Sequence, residues 1–168
     1  MKTSIAFIVT TFIGLVSANA AYDVTCVEGD CFTKGWDVTD MQNGNRSTVR
    51  CTGDSCTDEG WVTEFNGREQ AEIVCKPGGC FVIGWRTFDA TTGAQTSEIS
   101  CYRGFAGQSD CLIHGWDTYS PQFGRYATIC ANGDCLNRGW EVRYPGYQPQ
   151  VARCKEGGCF SAGWTVRP

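Results

Sequence analysis

Hydrophobic and polar residues alternate in short runs along this chain, and turn-forming residues separate the runs. The runs that begin at Trp36 and Trp140 place Val38 and Val142 two positions later, with an acidic residue in between. A period of two predicts a β-strand with one buried face. Beyond residue 20 no segment shows the i, i+3, i+4, i+7 spacing of an amphipathic helix, so we predict an all-β fold.

One sequence phrase occurs six times: a cysteine, four to nine residues that include glycine, a second cysteine, three residues, and the pair Gly-Trp. The spacings between successive tryptophans are 25, 24, 31, 24 and 24 residues. A fixed period in this range indicates a repeat architecture. We therefore predict that residues 21–168 form a single domain of six repeats. The predicted core of each repeat is its tryptophan: Trp36, Trp61, Trp85, Trp116, Trp140 and Trp164.

The cysteine spacing predicts a disulfide-stapled β-hairpin in each repeat. A two-residue turn at 28–29 makes Cys26 and Cys31 directly opposed residues, whose Cα atoms are then about 4.5 Å apart. That separation is within the range that a disulfide can bridge. The predicted bonds are Cys26–Cys31, Cys51–Cys56, Cys75–Cys80, Cys101–Cys111, Cys130–Cys135 and Cys154–Cys159. Pairing between repeats is the alternative.

The residues between the paired cysteines predict the type of turn. Asn132-Gly133 suits a type I′ turn and Gly53-Asp54 a type II′ turn. Pro77-Gly78 fits a tight hairpin less well, because proline favours type I or II turns there, and so predicts a wider loop. The nine residues 102–110 also require a wider loop.

The segments between phrases contain turn pairs as well, such as Asn66-Gly67 and Thr92-Gly93, so the chain is expected to run up and down through about twelve strands. The first and last predicted strands lie close to the two ends of the repeat region, with no polar cap beyond them. We therefore favour a meander that closes on itself, as a barrel, a propeller-like ring or a β-trefoil-like arrangement. An open hairpin solenoid is the alternative.

The first twenty residues predict a secretory signal peptide. Lys2 is followed by an apolar run over 4–16 and by an A-x-A pattern that ends at Ala20. All 12 cysteines follow this segment, and a dense, even cysteine count in a secreted chain indicates disulfides. We expect a secreted, extracellular protein, or a periplasmic one if the source is a Gram-negative bacterium, with no membrane insertion.

Composition argues against several classes of function. The net charge of −4 offers no electrostatic surface for nucleic acid. The chain has a single histidine, His114, and no serine lies in a recognisable nucleophile motif, so we expect no enzyme. The cysteine spacing and the predicted compartment favour disulfides over zinc. Turn acids such as Asp30, Asp54 and Asp134 lack the full calcium-loop pattern. We expect no metal and no cofactor.

Aromatic residues that differ between repeats are the candidates for a ligand site. The repeated tryptophans are explained by a stacked core, although aromatic platforms for sugar rings or a cationic ligand are the alternative. The candidates are Tyr119, Phe123, Tyr126, Tyr144 and Tyr147, and with the insert at 102–110 they are predicted to form one surface around repeats four and five.

These features predict a secreted binding protein that recognises a glycan or a cell-surface protein through variable aromatic side chains on a rigid frame. A secreted effector, toxin or antimicrobial protein that acts on another cell is the alternative, and a structural coat or matrix protein is the third possibility. Asn45-Arg46-Ser47 is a glycosylation sequon, which matters only in a eukaryotic secretory route.

Overall fold

The computed structural model describes residues 21–104 and 110–168. The predicted signal peptide (1–20) and the middle of the fourth-repeat insert (105–109) lie outside the described residues. The described chain forms twelve β-strands, two one-turn α-helices, and two 3-10 turns at Val27–Gly29 and Ala131–Gly133. The strands are β1 (Tyr22–Cys26), β2 (Trp36–Asp40), β3 (Arg46–Cys51), β4 (Gly60–Phe65), β5 (Arg68–Cys75), β6 (Trp85–Asp89), β7 (Gln95–Cys101), β8 (Trp116–Ser120), β9 (Gly124–Cys130), β10 (Trp140–Arg143), β11 (Gln150–Cys154) and β12 (Trp164–Arg167). The helices are α1 (Cys31–Lys34) and α2 (Cys111–His114).

The strands form a closed antiparallel barrel. Each strand pairs with its neighbours in sequence, and β1 also pairs with β12, where Tyr22 lies opposite Val166. This arrangement confirms the all-β prediction, selects the barrel among the predicted closed forms and excludes the open solenoid. Trp36 lies opposite Cys26 on β1 and opposite Val49, two residues before Cys51, on β3. The pairing therefore shifts by two residues from one repeat to the next, and such a stagger tilts the strands of a barrel.

All six disulfides join neighbouring cysteines within a repeat, as predicted. Their Cα atoms are 4.4–4.7 Å apart. In the first repeat the two-residue turn is confirmed, because the Asp30 amide donates to the Val27 carbonyl at 3.0 Å. The second cysteine does not continue as a strand, however. Cys31 begins helix α1, whose first amide groups bind the Asp30 carboxylate, and Trp36 is the residue that pairs with Cys26.

The predicted turns agree with the structure in two places and differ in two. Asn66-Gly67 and Asn132-Gly133 have positive φ at both positions, as a type I′ turn requires. Gly53 does not have the positive φ that a type II′ turn needs, so that prediction is wrong. Pro77-Gly78 closes a tight turn after all, because Gly78 has φ 103° and the Gly79 amide donates to the Lys76 carbonyl at 3.0 Å. A type II turn accommodates proline followed by such a glycine.

The six tryptophans form a closed aromatic ring inside the barrel. Neighbouring ring centroids are 5.2–6.2 Å apart, and neighbouring planes are tilted by 52–61°. Each tryptophan is at most 3% exposed. Tilted contacts at these distances are favourable for aromatic side chains. The tryptophans are therefore the core of the repeats, and their indole faces are not offered to a ligand.

Three phenylalanines close the end of the barrel that carries the disulfides. Phe32 stacks on Phe160 at 4.7 Å, and Phe81 meets both of them edge-on at 5.7 Å. Phe81 and Phe160 also pack on members of the tryptophan ring. Around them, the amide of the second cysteine in each repeat donates a hydrogen bond to a carbonyl of the preceding repeat, at 2.8–3.0 Å. The accepting carbonyl belongs to the residue that directly follows the second cysteine of that preceding repeat. These six hydrogen bonds form a second closed ring, which ties the loops of all the repeats together.

The inward-facing position two residues after each tryptophan is threonine in three consecutive repeats and valine in the other three. The residues two places after the tryptophan are Thr63, Thr87 and Thr118 in the second to fourth repeats, and Val38, Val142 and Val166 in the others. Within the described residues the hydroxyls of Thr63 and Thr87 are buried without a hydrogen-bond partner. A buried hydroxyl without a partner loses its hydrogen bonds to water and gains none in the protein, so it destabilises the fold.

We expect Thr87→Val to stabilise the protein by about 1 kcal/mol, because valine keeps the shape of the side chain and removes the unsatisfied hydroxyl. The matched control is Val38→Thr at the equivalent position, which should lower the free energy of unfolding by about 1–3 kcal/mol. Guanidinium unfolding followed by tryptophan fluorescence measures both. Destabilisation by Thr87→Val would show that the Thr87 hydroxyl has a favourable partner.

Candidate ligand-binding face

Two of the five predicted ligand residues lie inside the barrel. Tyr126 is 3% exposed and Tyr144 is 9% exposed, and their rings pack against each other at 4.7 Å. Burial is the main reason that the pKa of Tyr126 is raised, so its phenol stays neutral. These two tyrosines therefore belong to the interior rather than to an outer surface.

The other three predicted residues are at or near the surface. Phe123 is half-buried in the turn between β8 and β9, and it packs against the core. Tyr147 is 53% exposed in the turn between β10 and β11, where its amide donates to the Tyr144 carbonyl. Tyr119 is on β8 and is 59% exposed. Contact between any of the five residues and a ligand stays a prediction.

Strand β8 holds Tyr119 outward because of the period-two alternation. Trp116, Thr118 and Ser120 on the same strand are buried, and Tyr119 lies between the last two of them. The inward residues are fixed by the tryptophan ring and by pairing on both sides, so the strand cannot slip without turning Trp116 outward. The phenol ring of Tyr119 is consequently presented by a rigid strand rather than by a loop.

Charged residues flank Tyr119 on both neighbouring strands. Glu98 on β7 and Arg125 on β9 are its cross-strand partners. Lys76 lies 2.8 Å from the Glu98 carboxylate and donates to the Ser100 hydroxyl at 2.8 Å. The hydrogen bond from Lys76 lowers the pKa of Glu98, so its carboxylate is charged at neutral pH. We call Tyr119, Glu98, Arg125, Asp117 and Tyr102 the Tyr119 face.

A three-residue hydrogen-bond cluster supports the Tyr119 face. The Tyr102 hydroxyl donates to one oxygen of Asp117 at 2.7 Å, and the Arg125 guanidinium binds the other oxygen. Burial, together with the bond to Asp117, raises the pKa of Tyr102 to about 12, so this phenol remains a donor at neutral pH. The side chain of Arg125 is nevertheless mostly exposed. Its remaining N–H groups can therefore donate to a ligand.

The fourth repeat is distinctive at the position of Tyr119. The residue three places after the tryptophan is Thr39, Glu64, Phe88, Arg143 or Arg167 in the other repeats. Of these only Phe88 is aromatic, and it is half-buried on β6, across β7 from Tyr119. The repeated frame therefore offers one exposed phenol at this position, rather than six equivalent aromatic platforms.

Sequence reasoning did not find the charged members of the Tyr119 face. Glu98, Asp117 and Arg125 come from three strands, and only the register of β7, β8 and β9 brings them beside one another. The orientation of the tyrosines did have a sequence signal, because Tyr119 is an odd number of residues from inward-facing Trp116. Tyr126 lies an even number of residues before Cys130, whose side chain is buried, so alternation places Tyr126 in the interior as well.

The face combines an exposed aromatic ring with fixed donors and acceptors. An aromatic ring can pack on the apolar face of a sugar or on a cation. Carboxylate and guanidinium groups at its edges can bind hydroxyls. The arrangement is suited to binding a ligand that has both an apolar face and polar groups at its rim.

The acidic turn residues have structural roles. Asp30 and Asp110 accept hydrogen bonds from amide groups at the start of α1 and α2, and Asp134 does the same for Asn137. Throughout residues 21–104 and 110–168, no three His, Cys, Asp or Glu side chains are grouped so that they could hold a metal ion. In the same residues, no helix has the length and apolarity required to span a bilayer.

The six disulfides are consistent with an extracellular protein, since such bonds persist in oxidising compartments. Comparison of the chain with protein-family models, with curated proteins and with solved structures gives no match.

Proposed function

We propose that this protein is secreted and binds a glycan or a cell-surface ligand through the Tyr119 face. The observation that carries the proposal is the outward phenol of Tyr119, 59% exposed, while all six tryptophans are buried. An exposed aromatic side chain on a rigid strand loses little conformational entropy when it binds, which favours affinity. The polar residues at its edges are held by the Lys76–Glu98 and Asp117–Arg125 ion pairs.

A glycan fits these features because a sugar ring presents both an apolar face and a rim of hydroxyls. The phenol ring of Tyr119 would pack on the apolar face, and Glu98 and Arg125, on the two flanking strands, would bind the hydroxyls. The closed barrel, cross-linked within every repeat, supplies a preorganised support for such contacts.

The test is binding of the purified, oxidised protein to a glycan array, followed by titration with the soluble form of the best array glycan. We expect Tyr119→Ala to weaken binding about tenfold, equivalent to about 1.4 kcal/mol. The matched control is Arg143→Ala, which truncates an exposed side chain at the same position of the next repeat. It should leave the affinity within about twofold.

Unfolding curves of both variants should overlay that of the parent, because neither side chain is buried. Equal losses of affinity in the two variants would contradict the Tyr119 face. Inhibition of cell growth that soluble glycan does not relieve would instead favour the effector alternative.

A further inference from the structure

The one Asn-x-Ser/Thr sequon of the sequence, Asn45-Arg46-Ser47, begins at the last residue of the turn between β2 and β3 and continues into β3. No other asparagine of the chain has serine or threonine two positions later. A sequon is compatible with glycosylation in the folded protein only if its asparagine side chain is exposed and makes no hydrogen bond that the fold requires. The structure answers both points.

Asp40 and Asn43 build the turn, and the Asn45 side chain takes no part in it. The Asp40 carboxylate accepts from the Gln42 amide and from Asn43 Nδ2, both at 2.8 Å. The Gly44 amide donates to the Asp40 carbonyl at 2.8 Å. Asn45 contributes only backbone groups: its amide donates to Asn43 Oδ1 at 2.8 Å, and its carbonyl accepts from the Asp40 amide at 2.9 Å. Its side chain is exposed.

The third repeat shows that the fold does not require asparagine here. The turn between β6 and β7 has the same hydrogen bonds, since the Gly93 amide donates to the Asp89 carbonyl at 2.8 Å and the Asp89 amide donates to the Ala94 carbonyl at 2.9 Å. Gly44 and Gly93 have similar φ values, 75° and 69°. Ala94 is therefore the structural equivalent of Asn45, and alanine serves equally well. The Asn45 amide group is dispensable for the turn and open to solvent.

We propose that Asn45 carries an N-linked glycan. In the transfer, the side-chain nitrogen of Asn45 bonds to C1 of an oligosaccharide carried on a lipid diphosphate. The C1–oxygen bond breaks, the lipid diphosphate leaves, and the nitrogen loses one proton. Asn45 directly precedes β3, and Tyr119 is on β8, five strands away in the ring of twelve. The glycan is thus attached five strands round the barrel from the strand that carries Tyr119.

The experiment is secretion of the full chain from a eukaryotic host, with intact mass measured before and after peptide N-glycosidase treatment. We expect a discrete glycan mass that the enzyme removes and that is absent from both Asn45→Gln and Ser47→Ala. Ser47→Thr should preserve it, because threonine also completes the sequon. Asn43→Gln changes a neighbouring asparagine of the same turn and should leave the glycan in place.

Ala94→Asn supplies a positive control within the same molecule. It completes a new sequon with Gln95 and Thr96, in a turn of the same geometry, and should add a second glycan. Secreted protein in which Asn45 is bare overturns the proposal, whether or not Ala94→Asn becomes glycosylated. Glycan that persists in Asn45→Gln overturns it as well.

Discussion

Gly35→Ala is expected to unfold the protein or to cost more than about 4 kcal/mol, among the largest effects for a single substitution. A Cβ atom on Gly35 would lie 2.0 Å from the Val49 carbonyl oxygen on the neighbouring strand. The obstacle is backbone inside a paired sheet, which cannot move aside without opening the ladder. Gly35 also has φ 79° and ψ −160°, a conformation open essentially to glycine alone.

Gly44→Ala is the matched control, because Gly44 has nearly the same φ, 75°, but nothing within 4 Å of its added Cβ. It should cost about 1–2 kcal/mol, the usual penalty for a left-handed conformation at alanine. Guanidinium unfolding of the two oxidised variants measures the difference. Equal losses would mean that the backbone conformation, rather than the close approach of the strands, requires glycine before tryptophan.

The close approach recurs in every repeat. The equivalent distances to the carbonyl oxygen of the next strand are 2.0–2.2 Å for Gly35, Gly60, Gly84, Gly115, Gly139 and Gly163. For Gly163 this oxygen belongs to Val24, in the first strand of the described chain, so the contact also closes the ring. The two residues of the Gly-Trp pair therefore act together. The glycine lets neighbouring strands approach closely, and the tryptophan fills the interior beside them.

Local features of the fold were predictable because they depend on residues that are close in sequence. The spacing of Cys26 and Cys31 determines the disulfide through hairpin geometry. Asn132-Gly133 determines its turn through the positive φ that both residues tolerate. The helical turn after Cys31 escaped prediction, since four residues are too few to show a helical period.

Non-local features were not predictable in the same way. Closure depends on β1 meeting β12, and the sequence favoured a closed form without choosing among the barrel, ring and trefoil or excluding an open solenoid. The Tyr119 face depends on the register of three strands joined by loops of different length. Alternation from Trp116 does separate outward Tyr119 from the interior, but it does not place Glu98 or Arg125 beside it.

Reduction of all six disulfides is expected to unfold the protein at neutral pH. By the chain-entropy model, a six-residue loop contributes roughly 2 kcal/mol. Six bonds then contribute on the order of 10 kcal/mol, which is comparable to the net stability of a whole domain. The second cysteine of every bond is fully buried, so reduction also leaves six thiols inside the interior. Near-ultraviolet circular dichroism of the tryptophan ring, before and after phosphine reduction, measures the loss.

Variants that lack a single disulfide separate the effect of loop closure from the effect of burying thiols. Replacing both Cys51 and Cys56 by serine opens a bond with sequence separation 5, and replacing both Cys101 and Cys111 opens one with separation 10. The entropic model makes the second loss larger by about 0.5 kcal/mol. A reduced chain that keeps its tryptophan dichroism and unfolds cooperatively would show that the aromatic ring and the closed ladder suffice without the bonds. Loss of structure on reduction, with modest losses in each double variant, would show that the repeats share the stabilisation between them.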